Sequence, residues 1–212
     1  MDDISILLID DHPLLRKGLA QLIDEEEGLK VVAEAGDGAS GLKLAIELEP
    51  DLILLDLNMK GMDGLETLKA MRAEGVTSRV VALTVSEHKD DVAAMFRAGA
   101  DGYLLKDMEP EELLSQISQA ALGKLAVDDR LAEVLAAVLR PDSSQASKID
   151  LLTPKEREVL QFIAEGDANK VIARKMSISE GTVKVHVKRM LRKLDFRSRV
   201  EAAVWWVNNR QG

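Results

Sequence analysis

Up to Leu122 the chain alternates short continuous apolar runs with longer stretches in which apolar residues recur every three or four positions. The runs are Ile4 to Ile9, Val31 to Ala35, Leu52 to Leu55, Val80 to Leu83 and Tyr103 to Leu105. Their length and aliphatic, β-branched content, without polar alternation, predict strands buried on both faces. The amphipathic stretches between them, near Leu14 to Ile23, Gly41 to Leu48, Leu65 to Met71, Val92 to Ala98 and Glu111 to Leu122, predict helices. Strands alternating with helices pair in parallel through right-handed crossovers, so this half is expected to be a doubly wound, five-stranded α/β domain.

A further helical stretch (Leu131, Val134, Leu135, Val138, Leu139) leads into Arg140 to Asp150, which is polar, contains proline and lacks apolar periodicity. That segment predicts a flexible linker. Beyond it no strand is expected, and four helices are marked by their start and stop signals. Thr153-Pro154-Lys155-Glu156 offers an N-cap, a proline at the first helical position and a capping-box glutamate, and Ser198-Arg199-Val200-Glu201 repeats the pattern. Ser179 can cap the helix running to Leu194, and Gly166 can end the first one before a short helix at Val171 to Met176. The expected division is residues 1–122, an α/β domain; 123–150, helix and linker; and 151–212, a smaller all-α four-helix domain.

Charge separates the halves more sharply than hydropathy does. The net charge of −9 divides into +5 for residues 149–212 (13 Lys and Arg against 8 Asp and Glu) and −14 for residues 1–148 (15 against 29). A basic piece suits an anionic partner such as nucleic acid, and an acidic one repels it. With no cysteine and only His12, His88 and His186, disulfides, thiolate chemistry and a zinc site are excluded or poorly supported, and a cytoplasmic protein is expected. No apolar run reaches the 18 or so residues of a spanning helix.

In an open parallel sheet, chemistry gathers at the carboxyl ends of the strands. Asp10 and Asp11 end the first predicted strand, Asp56 the third and Thr84 the fourth, and Lys106 follows the fifth. Three carboxylates in one crevice repel one another unless a hard cation joins them, and Mg2+ favours such oxygen ligands, with the Asn58 backbone carbonyl as a further candidate. With the metal on Asp10 or Asp11, an oxygen of Asp56 can attack phosphorus, Lys106 can pair with the acquired phosphoryl group and Thr84 can hydrogen-bond to it. The plainer alternatives are that Asp10 and Asp11 cap the next helix, Thr84 is a strand residue and Lys106 is a surface lysine; His12 looks like a metal ligand, but without a partner histidine nearby it reads as a turn residue. A phosphatase using Asp56 is a second class of function; Leu57-Asn58 leaves it without an acid two residues on.

From Thr182 to Leu194, residues Val183, Val187, Met190, Leu191 and Leu194 share one helical face, leaving Lys184, Val185, Lys188, Arg189 and Arg192 on the other. A cationic stripe with one apolar residue fits the major groove, the cations meeting phosphates or guanine and Val185 a thymine methyl. A solvated basic face or an acidic membrane surface is the alternative. The short preceding helix and the turn Ser177-Ile178-Ser179 favour a helix-turn-helix.

Leu7-Leu8-Ile9-Asp10-Asp11-His12-Pro13, Asp51 to Met59, Thr84 and Gly99 to Lys106 resemble the receiver domain of two-component response regulators. The resemblance implies that Asp56 is the phosphoacceptor for a sensor histidine kinase, that Asp10 and Asp11 bind Mg2+, that Thr84 and Lys106 sense the phosphoryl group and that Tyr103 is an aromatic switch. Lys60 stands where many receivers have proline, and Asp107 where many have a cis proline, which predicts a more mobile loop there. Leu152 to Leu160, Asn169 to Ala173 and Thr182 to Val187 resemble the LuxR/FixJ-type DNA-binding domain, whose last helix often pairs two subunits; Val200, Val204, Val207, Trp205 and Trp206 are candidates for that contact or for core.

Together the halves resemble the nitrate/nitrite response regulators of the NarL/NarP type, on Met59-Lys60-Gly61-Met62, Thr84-Val85-Ser86, Leu104 to Asp107 and Ser198 to Ala203. The implied function is phosphorylation-dependent DNA binding and control of nitrate/nitrite-responsive anaerobic respiration genes, with homodimers on DNA. The chain is then no enzyme beyond accepting a phosphoryl group and slowly losing it.

Overall fold

The computed structural model describes residues 3–86, 88–127 and 146–209. In the first unit β1 (Ile4–Ile9), α1 (Pro13–Asp24), β2 (Leu29–Ala35), α2 (Gly38–Leu48), β3 (Leu52–Asp56), α3 (Gly64–Ala73), β4 (Arg79–Thr84), α4 (Lys89–Ala98), β5 (Gly102–Leu105), α5 (Pro110–Ala121) and β6 (Ala126–Val127) follow one another. The strands form one parallel sheet in the order β2-β1-β3-β4-β5-β6. The five expected strands are all present. β6 is an addition, and two residues are too few to give a sequence period.

Alternate residues of each central strand feed opposite layers. Leu7, Ile9, Ile53, Leu55, Val80 and Ala82 face a core closed by Leu68 and Met71 of α3 and Val92, Met95 and Phe96 of α4. Ile6, Leu8, Leu52, Leu54, Val81 and Leu83 face the other core, closed by Leu19 and Ile23 of α1 and Leu113 and Ile117 of α5. Burial on both faces holds for β1, β3, β4 and β5. It fails for β2, an edge strand in which buried and exposed positions alternate and Val32 is half exposed.

The second unit begins with a 3-10 helix, Ala146–Leu151, followed by α6 (Pro154–Ala164), α7 (Asn169–Met176), α8 (Glu180–Leu194) and α9 (Arg199–Asn209). The helical stretch expected at Leu131 to Leu139 lies outside the described residues. So does most of the expected linker, but its last part is not linker: Ile149 packs on the helical core and Lys148 donates to the Leu194 carbonyl at 2.8 Å. The expected caps form. Thr153 and Glu156 make the full reciprocal box, and the Ser179 hydroxyl accepts the Thr182 N–H at 3.1 Å. Ser198 accepts the Glu201 N–H at 3.1 Å, while the Glu201 carboxylate reaches one residue further back, to the Arg197 N–H at 2.8 Å. Gly166 ends α6 in a left-handed conformation, φ +89°.

The two units touch along one side of the sheet. Lys184 of α8 donates to the Glu49 carbonyl at 2.7 Å, Arg197 to the Arg97 carbonyl at 2.8 Å and Arg79 to the Asp167 carbonyl at 3.4 Å. The approach is close enough to need glycine. A Cβ on Gly123 (φ +108°) would collide with the Gly166 carbonyl, and one on Gly99 (φ +102°) would lie 2.8 Å from the Arg197 carbonyl.

Candidate functional site

β1 and β3 end side by side and deliver Asp10 and Asp56 to one crevice, with Asp11 and His12 on the turn into α1. Their ligand atoms lie within 4.8 Å of one another. Lys106 closes the group from the end of β5, its ammonium 2.7 Å from Asp10 Oδ2 and 3.0 Å from Asp56 Oδ2. Only 9% of that side chain is exposed, so it is no surface lysine. Nor do the aspartates cap α1: its N-cap is His12, whose own N–H donates to Asp10 Oδ1 at 2.8 Å. Glycine is required beneath the site, where Gly64 crosses the Asp56 carbonyl and a Cβ would collide with it.

Thr84 ends β4 fully buried. Its hydroxyl accepts the Ser86 N–H at 3.1 Å and the Asn58 amide at 3.4 Å. The Asn58 N–H points at Asp56 Oδ1, 3.3 Å away. Ser86 then connects two ways, through its carbonyl to the Tyr103 hydroxyl at 2.9 Å and through its own hydroxyl to Asp91 on α4 at 2.6 Å. Tyr103 lies wholly inside the core, and burial, with the nearby Asp91 charge second, pushes its phenol up to about 12.

Across the molecule, α7, the left-handed Ser177 (φ +54°) and α8 make the helix-turn-helix. Val183, Val187, Met190, Leu191 and Leu194 are buried as expected. Val185, Lys188, Arg189 and Arg192 are exposed, and Lys184 is half-buried against the first unit. Lys188 reaches over Gly75, where a Cβ would meet its ammonium at 2.7 Å. So the cationic face is intact but its first turns lie on the other domain.

Residues 6–118 match the response regulator receiver domain, and residues 150–206 match the bacterial regulatory proteins of the luxR family. The nitrate/nitrite response regulator protein NarL of Escherichia coli strain K12 is 54% identical over 202 residues, covering 95% of this chain and 94% of the relative. This chain belongs to the two-component response regulators with a LuxR-type DNA-binding domain. The regulator is also 48% identical over 206 residues to the nitrate/nitrite response regulator NarP of the same strain, covering 97% of this chain and 95% of that one. Among solved structures, the response regulator ChrA of a heme-sensing two-component system matches with a TM-score of 0.52 and 31% identity, covering 99% of each chain. Receiver and LuxR-type domain together make the regulator a phosphorylation-dependent transcription regulator close to NarL and NarP, and its domains indicate DNA and a histidine kinase as partners.

The regulator's acidic cluster can hold Mg2+. Asp11 Oδ1 and Asp56 Oδ2 are buried and accept no hydrogen bond; their charged neighbours are His12 Nδ1, 3.0 Å from the first and 3.8 Å from the second, and the Lys106 ammonium, 3.0 Å from the second. Two buried carboxylate oxygens that accept no hydrogen bond and lie in reach of one another are a donor set for a hard divalent cation. Sequence reasoning set His12 aside, yet its Nδ1 stands 3.0 Å from Asp11 and 3.2 Å from Asp10. It missed Arg16, which holds the Asp10 carbonyl at 2.5 Å from the first turn of α1, and Ser86, the relay beyond Thr84. A serine two residues past a strand-end threonine was the available signal. The turn after Lys106 contains no cis peptide, and Met108 pins it by packing against both cores.

Proposed function

We propose that a sensor histidine kinase phosphorylates Asp56, and that the phosphoryl group releases α8 from the receiver to bind promoter DNA. The observation that carries this reading is the contact of Lys184 and Lys188, two of the cations expected at DNA, with the receiver at Glu49 and Gly75. In transfer, an Asp56 oxygen forms a bond to phosphorus as the donor's bond breaks and the leaving group keeps the electron pair. Asp10, Asp11, Asp56 and the Asn58 backbone carbonyl would hold Mg2+, which would neutralise the phosphoryl oxygens. Lys106 turns its ammonium from the bare carboxylates to the new anion, and Thr84 donates its hydroxyl to it. Attack by water on phosphorus slowly restores the carboxylate and resets the switch.

Release runs from the crevice to the interface through contacts already made. Moving Thr84 toward the phosphoryl group pulls on Ser86, which holds the switch residue Tyr103 and, through Asp91, the start of α4. The far end of α4 supplies the Arg97 carbonyl that Arg197 of the DNA-binding domain grips. Phosphorylation acts because it favours the open arrangement over the closed one; a change neutral between them would shift nothing.

Once free, Lys184, Lys188, Arg189 and Arg192 meet phosphates or guanines in the major groove, and Val185 meets a thymine methyl. Opening also uncovers Val200, Val204 and Val207 of α9, which supports a homodimer reading half-sites about one helical turn apart. The likeness to NarL and NarP supports nitrate/nitrite-responsive genes of anaerobic respiration as targets and the cytoplasm as the place of action. Affinity for a duplex selected from a random pool by the phosphorylated regulator tests the reading. At fixed salt, acetyl phosphate with Mg2+ should raise it at least tenfold in wild type and not at all in Asp56→Asn; equal affinities in all samples would refute it.

A further inference from the structure

The interface between receiver and DNA-binding domain encloses a cleft of about 550 Å³. That lies inside the range of about 300–1,000 Å³ that small-molecule sites occupy. Both domains build its walls: Val81 and Leu125 from the receiver, and Ile163, Val200, Val204 and Val207 from α6 and α9. Its polar lining is unlike that of an ordinary domain interface. Arg79, the first residue of β4, and Arg199, the first of α9, reach it 6% and 5% exposed.

Neither guanidinium makes an ion pair with a carboxylate among the described residues. Arg79 gives Nη1 to the Ala120 carbonyl at 2.9 Å and Nη2 to that of Asp167 at 3.4 Å, and Arg199 gives Nη2 to Asn169 Oδ1 at 2.7 Å. The Nε–H of each is buried without a partner. Of the acids whose charge acts on them, Asp101 is occupied by Arg72 at 2.9 Å and the Val80 N–H at 3.0 Å, and Asp51 by Ser5 at 2.8 Å. Asp101 also lines the cleft and keeps one oxygen, Oδ1, without a hydrogen bond. Burial and the charge of Arg199 pull Arg79 down to about 9, the response of a cation that lacks its counter-ion.

Two buried donors of positive charge beside an apolar wall define a complement: an anionic head with an apolar chain. We propose that the cleft binds a small amphipathic carboxylate, its head against the guanidinium groups of Arg79 and Arg199 and its chain against Val200, Val204 and Leu125. Guanidinium matches carboxylate in geometry as well as charge, and the Arg72 pair offsets the repulsion from Asp101. Because the two domains share the walls, the ligand binds the closed arrangement and stabilises it by mass action. This regulatory consequence rests on the closed form being the inhibited one; the binding site itself does not.

Calorimetry on the full-length, unphosphorylated regulator tests the site with octanoate as probe. Saturable binding at one site per chain is expected, at least tenfold tighter than for 1-octanol, which keeps the chain but lacks the charge. Val204→Trp, which fills the cleft, should weaken octanoate at least tenfold. No saturable heat, equal binding of octanol, or undiminished binding by a folded Val204→Trp would each overturn the site, and the octanol comparison needs no variant. In the presence of acetyl phosphate, octanoate should lower affinity for the selected duplex. Saturable octanoate binding that leaves DNA affinity unchanged would overturn the closed-form reading and leave the site standing.

Discussion

Lys106 carries the electrostatic balance of the crevice, with one ammonium against Asp10 and Asp56 and almost no water to screen it. Removing one partner of a buried ion group costs about 3–5 kcal/mol, because the remaining charges stay buried and unpaired. Lys106→Met is therefore expected to melt well below wild type in chelator, and much of the loss should return on adding Mg2+, which takes over the neutralising role. A loss of equal size with and without Mg2+ would show that the carboxylates are not its source. Tyr103 offers a second probe of the same region. It is the chain's only tyrosine, and burial raises its phenol to about 12. A group whose folded value lies above its ordinary value of 10.0 contributes stability fully present below pH 10 and lost as the pH rises toward about 12. Phenolate absorbance should accordingly begin well above pH 10; a midpoint at 10 in folded protein would contradict the buried hydroxyl.

At this scale the site was largely legible in the sequence. Asp10, Asp56, Thr84 and Lys106 all end or follow apolar runs, and a parallel sheet sends every such end to the same edge. His12, Arg16 and Ser86 escaped because their roles depend on side-chain direction, which no periodicity encodes. Arg79 and Arg199 escaped for the opposite reason: each opens a secondary-structure element, where a cation reads as solvated, yet both lie buried beside the cleft between the domains.

At the scale of elements, α8 divides its faces as the spacing of its valines and lysines requires, and the caps at Thr153 and Ser179 fix where α6 and α8 begin. Charge reversal on α8 is the test of its role. Lys188→Glu should weaken DNA binding in the phosphorylated state and reduce the slope of log affinity against log salt by about 1 for each phosphate the side chain no longer neutralises. An unchanged slope would take Lys188 away from the phosphates. The misread elements share a cause: they are short. β6 has two residues, and the 3-10 helix Ala146–Leu151 six, among polar neighbours; both form because tertiary packing holds them, Ala126 in the second core and Ile149 on the helical one.

For the whole molecule, an acidic receiver and a basic DNA-binding domain carry charges that attract, and the two are in contact. The contacts are mostly not between opposite charges. Lys184 is held by a backbone carbonyl and Lys188 lies over the Gly75 turn, while the carboxylate of Asp51 faces Lys170 at 3.8 Å. A net charge can forecast attraction between domains but not which atoms meet, because that depends on turns such as Gly75, Gly99 and Gly123 that admit close approach. The α9 valines have the same history. Their spacing suited either core or a second subunit, and they face the receiver across the cleft.

In the proposed mechanism the domains must part before α8 can reach DNA. Since the chain has no native cysteine, Lys124→Cys with Glu165→Cys places one thiol on each side of the cleft, and a short bis-maleimide can join them. The measurement is the affinity of that double variant for the selected duplex, phosphorylated, before and after cross-linking. Phosphorylation should enhance binding before cross-linking, and that enhancement should be lost afterwards. A cross-linked regulator that binds as tightly as the uncross-linked one would contradict the mechanism.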